Sequence, residues 1–153
     1  MLPEENSREK KHMRDRYFID TNIFVYSFDR QDKAKQKKAK EIILGALSDH
    51  NGIISFQVVQ EFISLSGRKF AVPFTLKEQL AYLEEVLEPL CAVHSSIELY
   101  RKSLRVREDA GFSYYDSLIV AGALDGGCKV LYSEDFHHGQ NAVGVKIINP
   151  FKS

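Results

Sequence analysis

The sequence predicts an α/β fold whose central parallel sheet is covered by helices on both faces, and three observations carry that prediction. Short apolar runs recur along the whole chain, amphipathic stretches with helix-start signals stand between them, and no linker, internal repeat or low-complexity segment divides the 153 residues. Parallel strands need long crossover connections, and alternating helices supply them. The length fits one domain, and a hydrophobic content of 44% is enough for a substantial core.

The elements follow in order. Tyr17 to Asp20 (YFID) is a short apolar run that ends in a polar Asp-Thr-Asn triplet, as a buried strand does on reaching the edge of its sheet. Helices are expected at about Ile23 to Phe28 and Lys33 to Asp49, with Asn51-Gly52 as a turn and Ile53 to Ser55 as a second strand. The next helix starts near Gln57, with Val58, Val59, Phe62, Ile63 and Leu65 on its apolar side. Thr75 with Glu78 reads as a capping box opening a helix that runs to about Glu88, where Pro89 interrupts it. A strand at Leu90 to Val93 follows. Ser95 with Glu98, and Ser113 with Asp116, repeat the capping signal, and Gly126-Gly127 closes the second of these helices. Val130 to Tyr132 and Val145 to Ile148 read as the last strands.

Composition narrows the function. The longest apolar stretches are too short and too interrupted by charge to span a bilayer as a helix. The first fifteen residues form a charged extension before a domain at 16–153, without the apolar core of a secretory signal, so a cytoplasmic protein is expected. Cys91 and Cys128 both border apolar segments, where a cysteine behaves as a small buried hydrophobe. A net charge of zero argues against a general polyanion binder but leaves room for a local basic face. Lys33, Lys35, Lys37, Lys38 and Lys40 form the one dense positive run; it reads as a solvated helix face or as phosphate contacts, with Lys33, Lys37 and Lys40 the substrate-binding candidates.

Four acids are attached to elements of apolar texture. Asp20 ends the first strand, Asp135 lies just beyond VLY, Glu61 sits among Val58, Val59, Phe62 and Ile63, and Asp116 among Tyr114, Tyr115, Leu118 and Ile119. Each has a plain structural explanation. Asp20 can cap the following helix, Asp116 can complete a box with Ser113, Glu61 can pair with Arg68 or Lys69, and Asp135 can serve a turn. Together they point elsewhere, because carboxylates brought to one end of a parallel sheet repel unless a cation neutralises them. Oxygen donors of this kind suit Mg²⁺ or Mn²⁺, which can activate water and stabilise the leaving oxygen of a phosphodiester. Zinc fits poorly, since His12, His50, His94, His137 and His138 have no ligand spacing with the cysteines.

The motifs FIDTN at 18–22, QEF around Glu61, SYYDSLIVAGAL at 113–124 and VLYSEDF at 130–136 resemble the PIN domain. With the closing GVKIINPF at 144–151, they look particularly like the toxin members of VapBC toxin–antitoxin pairs, over about Arg16 to Phe151. The resemblance implies a PIN-like three-layer α/β/α fold with an acidic cleft at the carboxyl ends of the strands. It implies a Mg²⁺- or Mn²⁺-dependent endoribonuclease in which Asp20, Glu61, Asp116 and Asp135 hold metal and orient water. Thr21 and Asn22 match the residues expected to fix the first acid by hydrogen bonding, and Ser133 matches a hydroxyl residue that is threonine in many relatives. A homodimer and an antitoxin partner are implied as well. The charged extension before Arg16 has no counterpart in the family pattern.

Two rivals bear on the site. A haloacid-dehalogenase-type phosphotransferase needs a second aspartate two residues after the first, where this chain has Asn22. A catalytically inactive PIN-like module that binds RNA or protein would be marked by loss of an acid, and all four are present.

Overall fold

The first strand, β1 (Arg16–Ile19), is the midpoint of the sheet and places Asp20 at its carboxyl end. The computed structural model describes residues 15–137, 139 and 141–152. All but the last residue of the expected N-terminal extension, together with His12 and His138, lies outside the described residues. After β1 come α1 (Thr21–Tyr26), α2 (Lys33–Asp49), β2 (Gly52–Ser55), α3 (Phe56–Arg68) and α4 (Leu76–Tyr82). A π-helical turn (Leu83–Leu87) then leads into a short α5 (Glu88–Leu90) and β3 (Cys91–Val93). The chain is completed by α6 (Ile97–Ala110), α7 (Tyr114–Asp125), β4 (Cys128–Tyr132), β5 (Asn141–Ala142) and β6 (Val145–Ile148).

The strand order is β3-β2-β1-β4-β6-β5. The chain runs outward from β1 through β2 to β3, then returns to the other side of β1 with β4. Strand order therefore reverses between β1 and β4, and the residues that follow these two strands face one crevice. Five strands are parallel, as expected, while the two-residue β5 is an antiparallel edge strand paired to β6. Its sequence is too short to carry a period-2 signal.

Alternation along the strands sorts the helices into two layers. A methyl group added at Gly52 would overlap the Ala46 β-carbon at 2.3 Å and the Tyr17 ring, so this end of β2 lies against α2 with no room for a side chain. One residue on, Ile53 faces the opposite side and closes on Gly126, where an added methyl would meet its terminal carbon at 2.2 Å. The two faces are thus covered by α2 and by the α6–α7 pair, with Phe18, Ile54, Leu131 and Ile147 fully buried between them. Cys91 and Cys128 are free thiols, and burial pushes the Cys128 thiol up to about 12.

The helix expected at Ile23 to Phe28 lies two residues earlier, at Thr21–Tyr26, and two later helix ends also differ. The helical path does not stop before Pro89: the π turn, whose last N–H bond runs from Glu88 back to Leu83, carries it through to Leu90. Pro89 sits in the first turn of α5, where its missing N–H costs little. The cap of α6 is Ser96 rather than Ser95, because Ser96 Oγ accepts from Leu99 N at 3.0 Å. Glu98, the expected box partner, pairs with Arg101 instead.

Phe62, Phe70, Phe74 and Tyr82 pack together with Phe28. Phe62 is buried and stacks on Tyr82 with centroids 4.6 Å apart. They form an aromatic extension of the core beneath α3 and α4. No helix among the described residues is long and apolar enough to cross a membrane.

Candidate active site

Asp20 stands at the switch point with 4% of its surface exposed. It is the N-cap of α1, since Oδ1 accepts from Thr21 N at 2.7 Å. The capping explanation is therefore true of this residue without accounting for its other oxygen. Oδ2 accepts the Ser133 hydroxyl at 2.7 Å, across the β1–β4 crevice. Burial raises the Asp20 carboxyl to about 7; the bonds from Ser133 and Thr21 oppose this, and the charges of Asp135 and Glu61 add to it.

Glu61 reaches the same place from α3. Its Oε2 accepts the Thr21 hydroxyl at 2.6 Å and its Oε1 accepts Gln57 Nε2 at 2.9 Å. The ion pair with Arg68 or Lys69 offered by the sequence is not formed among the described residues. Thr21 thus serves two acids, its amide holding Asp20 and its hydroxyl holding Glu61.

Asn22 behaves differently from the expectation. It does not bond Asp20; it donates to Ser133 Oγ at 3.4 Å and accepts Glu134 N at 3.4 Å. It fastens the chain after β4 rather than the acid after β1. Ser133 Oγ also accepts Asp135 N at 3.1 Å, which turns the chain so that Asp135 stands at the exposed rim. Crowding by neighbouring atoms raises the Asp135 carboxyl, the Asn22 amide opposes this, and the charges of Asp116 and Glu134 raise it further.

Asp116 lies in the first turn of α7, half-buried, where its amide bonds Ser113 Oγ at 3.2 Å. Only this half of the predicted capping box forms, so the carboxylate is not taken up by the Ser113 amide. The electrostatic links run from Asp116 to Asp135, from Asp135 to Asp20 and from Asp20 to Glu61. These links form an open chain, in which Asp135 feels Asp116 and Asp20 feels Asp135 and Glu61, rather than a single cluster. Their spacing is open: among the described residues no three His, Cys, Asp or Glu side chains are drawn together as a ready metal cage.

A cleft of about 600 Å³ opens beside Thr21 and Asn22, the residues that follow Asp20; of the four predicted acids Glu61 and Asp135 line it, and Asp20 and Asp116 do not. Thr21, Asn22, Glu61 and Asp135 line it with Val25, Tyr26, Gln60, Leu65, Arg68 and Glu134. Lys33, Lys37 and Lys40 do not line it and are exposed on α2.

Sequence reasoning missed Glu134, which lines the cleft beside Glu61 and Asp135. Its carboxylate accepts from Tyr26 Oη at 2.6 Å and Lys35 Nζ at 2.8 Å, and these bonds hold it below the usual glutamate range although partial burial pushes the other way. Lys35 also lies 4.4 Å from the Tyr26 ring centroid, and Tyr26 packs edge-on against Phe151. Gln57 was likewise missed. Its position one turn before Glu61 was the available signal, since residues four apart share a helix face.

A comparison of the sequence with curated proteins finds no match. Among solved structures, the chain is similar to a toxin–antitoxin complex from Klebsiella pneumoniae, with 16% identity, 90% of this chain and 99% of that one covered, and a TM-score of 0.64. It is similar to a DNA-bound VapBC from Salmonella typhimurium, at 17% identity, 87% and 96% coverage and a TM-score of 0.62. A sarcin–ricin-loop-cleaving VapC toxin of Mycobacterium tuberculosis gives 17% identity, 78% and 89% coverage and a TM-score of 0.55. These likenesses show the fold, which is the mixed α/β architecture with a mostly parallel sheet that the sequence predicts. The PIN domain family model matches residues 17–143, from β1 to just past β5, and the chain belongs to the PIN-domain family.

Proposed function

We propose that the protein is a divalent-metal-dependent endoribonuclease, the toxin of a VapBC-type pair, with Asp20, Glu61, Asp116 and Asp135 as its metal-binding and catalytic acids. The observation that carries this reading is the buried Asp20 carboxylate, held by two donors and exposed to the charges of Glu61 and Asp135. A group so placed is strained when ionised and relaxes beside a cation.

The donor set fits Mg²⁺ or Mn²⁺. All four proposed ligands are hard oxygens, the donors such an ion takes beside its waters and substrate phosphate, while among the described residues no three of them are drawn together around one point. Such an ion, when bound, supplies an activated water and neutralises charge on the departing oxygen. The chain's own contribution is positioning. Ser133 and Thr21 fix Asp20, Thr21 and Gln57 fix Glu61, and Ser133 with Asn22 fixes the turn that carries Asp135. Asp116 and Asp135, less buried than Asp20, are the acids to which we assign the orienting of water.

An antitoxin partner is part of the proposal, supported by the toxin–antitoxin complexes among the structural relatives. So is an RNA substrate, supported by the relative that cleaves the sarcin–ricin loop. We extend the proposal to a cytoplasmic homodimer. The test is cleavage of a mixed pool of cellular RNA by purified protein with Mg²⁺ or Mn²⁺, beside an EDTA control and the Asp116→Asn variant. Cutting that stops in both controls supports the nuclease and its site. Absence of cutting with every metal, together with absence of Mn²⁺ binding by calorimetry, overturns the enzymatic reading in favour of an inactive binding module.

A further inference from the structure

The acidic residues of the cleft share it with one cation that no acid holds. Arg68 lines the cleft, and no carboxylate among the described residues pairs with it. Its Nε donates to Ser64 Oγ at 3.1 Å, which steadies the guanidinium at the stem and leaves its terminal NH₂ groups for another acceptor. The other candidate cations are elsewhere or engaged. Lys35 is bonded to Glu134, and Lys33, Lys37 and Lys40 are outside the lining.

Arg68 lies seven residues beyond Glu61 on the same helix, two turns or about 10 Å along its axis. One turn past Glu61, Leu65 contributes apolar lining, and Val25 adds to it from α1. A strand of nucleic acid presents this pattern, with an anionic phosphate on each side of an apolar nucleoside face. A guanidinium is suited to one end of it because its planar fork matches two phosphate oxygens.

We propose that Arg68 forms an anion subsite for a phosphate of the RNA strand a nucleotide or two away from the phosphodiester held at the acids, with the intervening nucleoside resting on Val25 and Leu65. This rests on the ribonuclease reading and names how the same cleft grips its substrate. Arg68 takes no part in bond breaking. It offsets the repulsion between a polyanion and a cleft lined by Glu61, Glu134 and Asp135.

The experiment uses the full chain in the Asp116→Asn background, so that RNA is bound without being cut. Binding of a short labelled single-stranded oligoribonucleotide is read by fluorescence anisotropy with Mn²⁺ over a range of salt, for this parent and with Arg68→Gln, Arg68→Lys or Lys129→Gln added. Lys129 is an exposed cation near the start of β4, away from the carboxyl ends of the strands. Arg68→Gln is expected to weaken binding roughly tenfold and to reduce the salt slope by about 0.7, the value of one phosphate contact on a single strand. Arg68→Lys should keep the slope, Lys129→Gln should change neither, and Mn²⁺ binding by calorimetry should be the same in all. Arg68→Gln with the parent's affinity and slope overturns the subsite. A parent that binds Mn²⁺ but no RNA strikes instead at the ribonuclease reading, and the subsite falls with it.

Discussion

Ser133 donates its hydroxyl to Asp20 Oδ2 at 2.7 Å, joining the ends of two adjacent parallel strands that are 113 positions apart in sequence. The bond crosses the point where strand order reverses, and both residues are buried. Ser133→Ala would leave a buried carboxylate oxygen without its donor, which costs about 1–3 kcal/mol. Urea unfolding at pH 8 should register that loss, and Ser133→Thr, which keeps the hydroxyl, should recover most of it. A change of only a few tenths in Ser133→Ala would mean that Asp20 draws little from this bond.

The raised Asp20 carboxyl makes stability depend on pH in a definite direction. Its value is about 7 in the fold against 3.8 for the free side chain, so between those limits the folded chain keeps a proton that the unfolded chain has released. Stability without metal should therefore fall as pH rises from about 4 to about 7 and level off above. Asp135, also raised, adds to this slope and Glu134, lowered, opposes it, so the difference between wild type and Asp20→Asn isolates the Asp20 part. In EDTA, Asp20→Asn should be the more stable of the two at pH 8 by a few kcal/mol, with the gap narrower at pH 5 and closing near pH 4. Equal pH slopes in the two proteins would mean that Asp20 is ionised throughout.

How far such effects could be read from sequence depends on how local their causes are. The bounds of α2 at Lys33 and Asp49 and of β6 at Val145 and Ile148 were legible, because apolar periodicity and turn residues act within a few positions. The four acids stand out in the sequence because each ends or interrupts an apolar segment. The cap at Ser96 was not, since two adjacent serines offer the same chemistry and only the backbone geometry selects one. The π turn was hidden because its hydrogen-bond shift leaves no residue-type signature around Leu83–Leu87. Glu134 was invisible for a different reason: its partners Tyr26 and Lys35 are 108 and 99 positions away, and nothing local distinguishes it from a solvent-facing acid.

Gly52 offers a test of the packing that sets the site. Its missing side chain lets β2 approach Ala46 and Tyr17, and β2 in turn leads directly into α3, which carries Glu61. Gly52→Ala places a methyl group where the Ala46 β-carbon already lies, and overpacking of this kind costs about 1–3 kcal/mol. A thermal melt should show the drop. An unchanged melting temperature would mean that α2 can move away from the sheet at no cost, contrary to the close contact seen.

Gln57 ties two of the acids together, and its two roles can be separated by experiment. Its Nε2 donates both to Glu61 Oε1 and to the carbonyl of Tyr115, the residue before Asp116, so one buried amide spans the helices that carry them. Its Oε1 is buried without a partner among the described residues, as are the hydroxyls of Ser55 and Ser117. Gln57→Met keeps the length and removes both the donor and the unpaired acceptor. The lost bonds and the relieved oxygen oppose each other, so stability should change by less than about 1 kcal/mol. Glu61, a proposed metal ligand, would keep its bond from Thr21 but lose that from Gln57, and loss of a partner that orients a metal ligand typically lowers affinity or activity about 10–100-fold. Mn²⁺ calorimetry and RNA cleavage should fall together while the urea midpoint stays near wild type. Unfolding at much lower urea would make Gln57 a structural residue, and unchanged metal binding and cleavage would show that Thr21 alone suffices to hold Glu61.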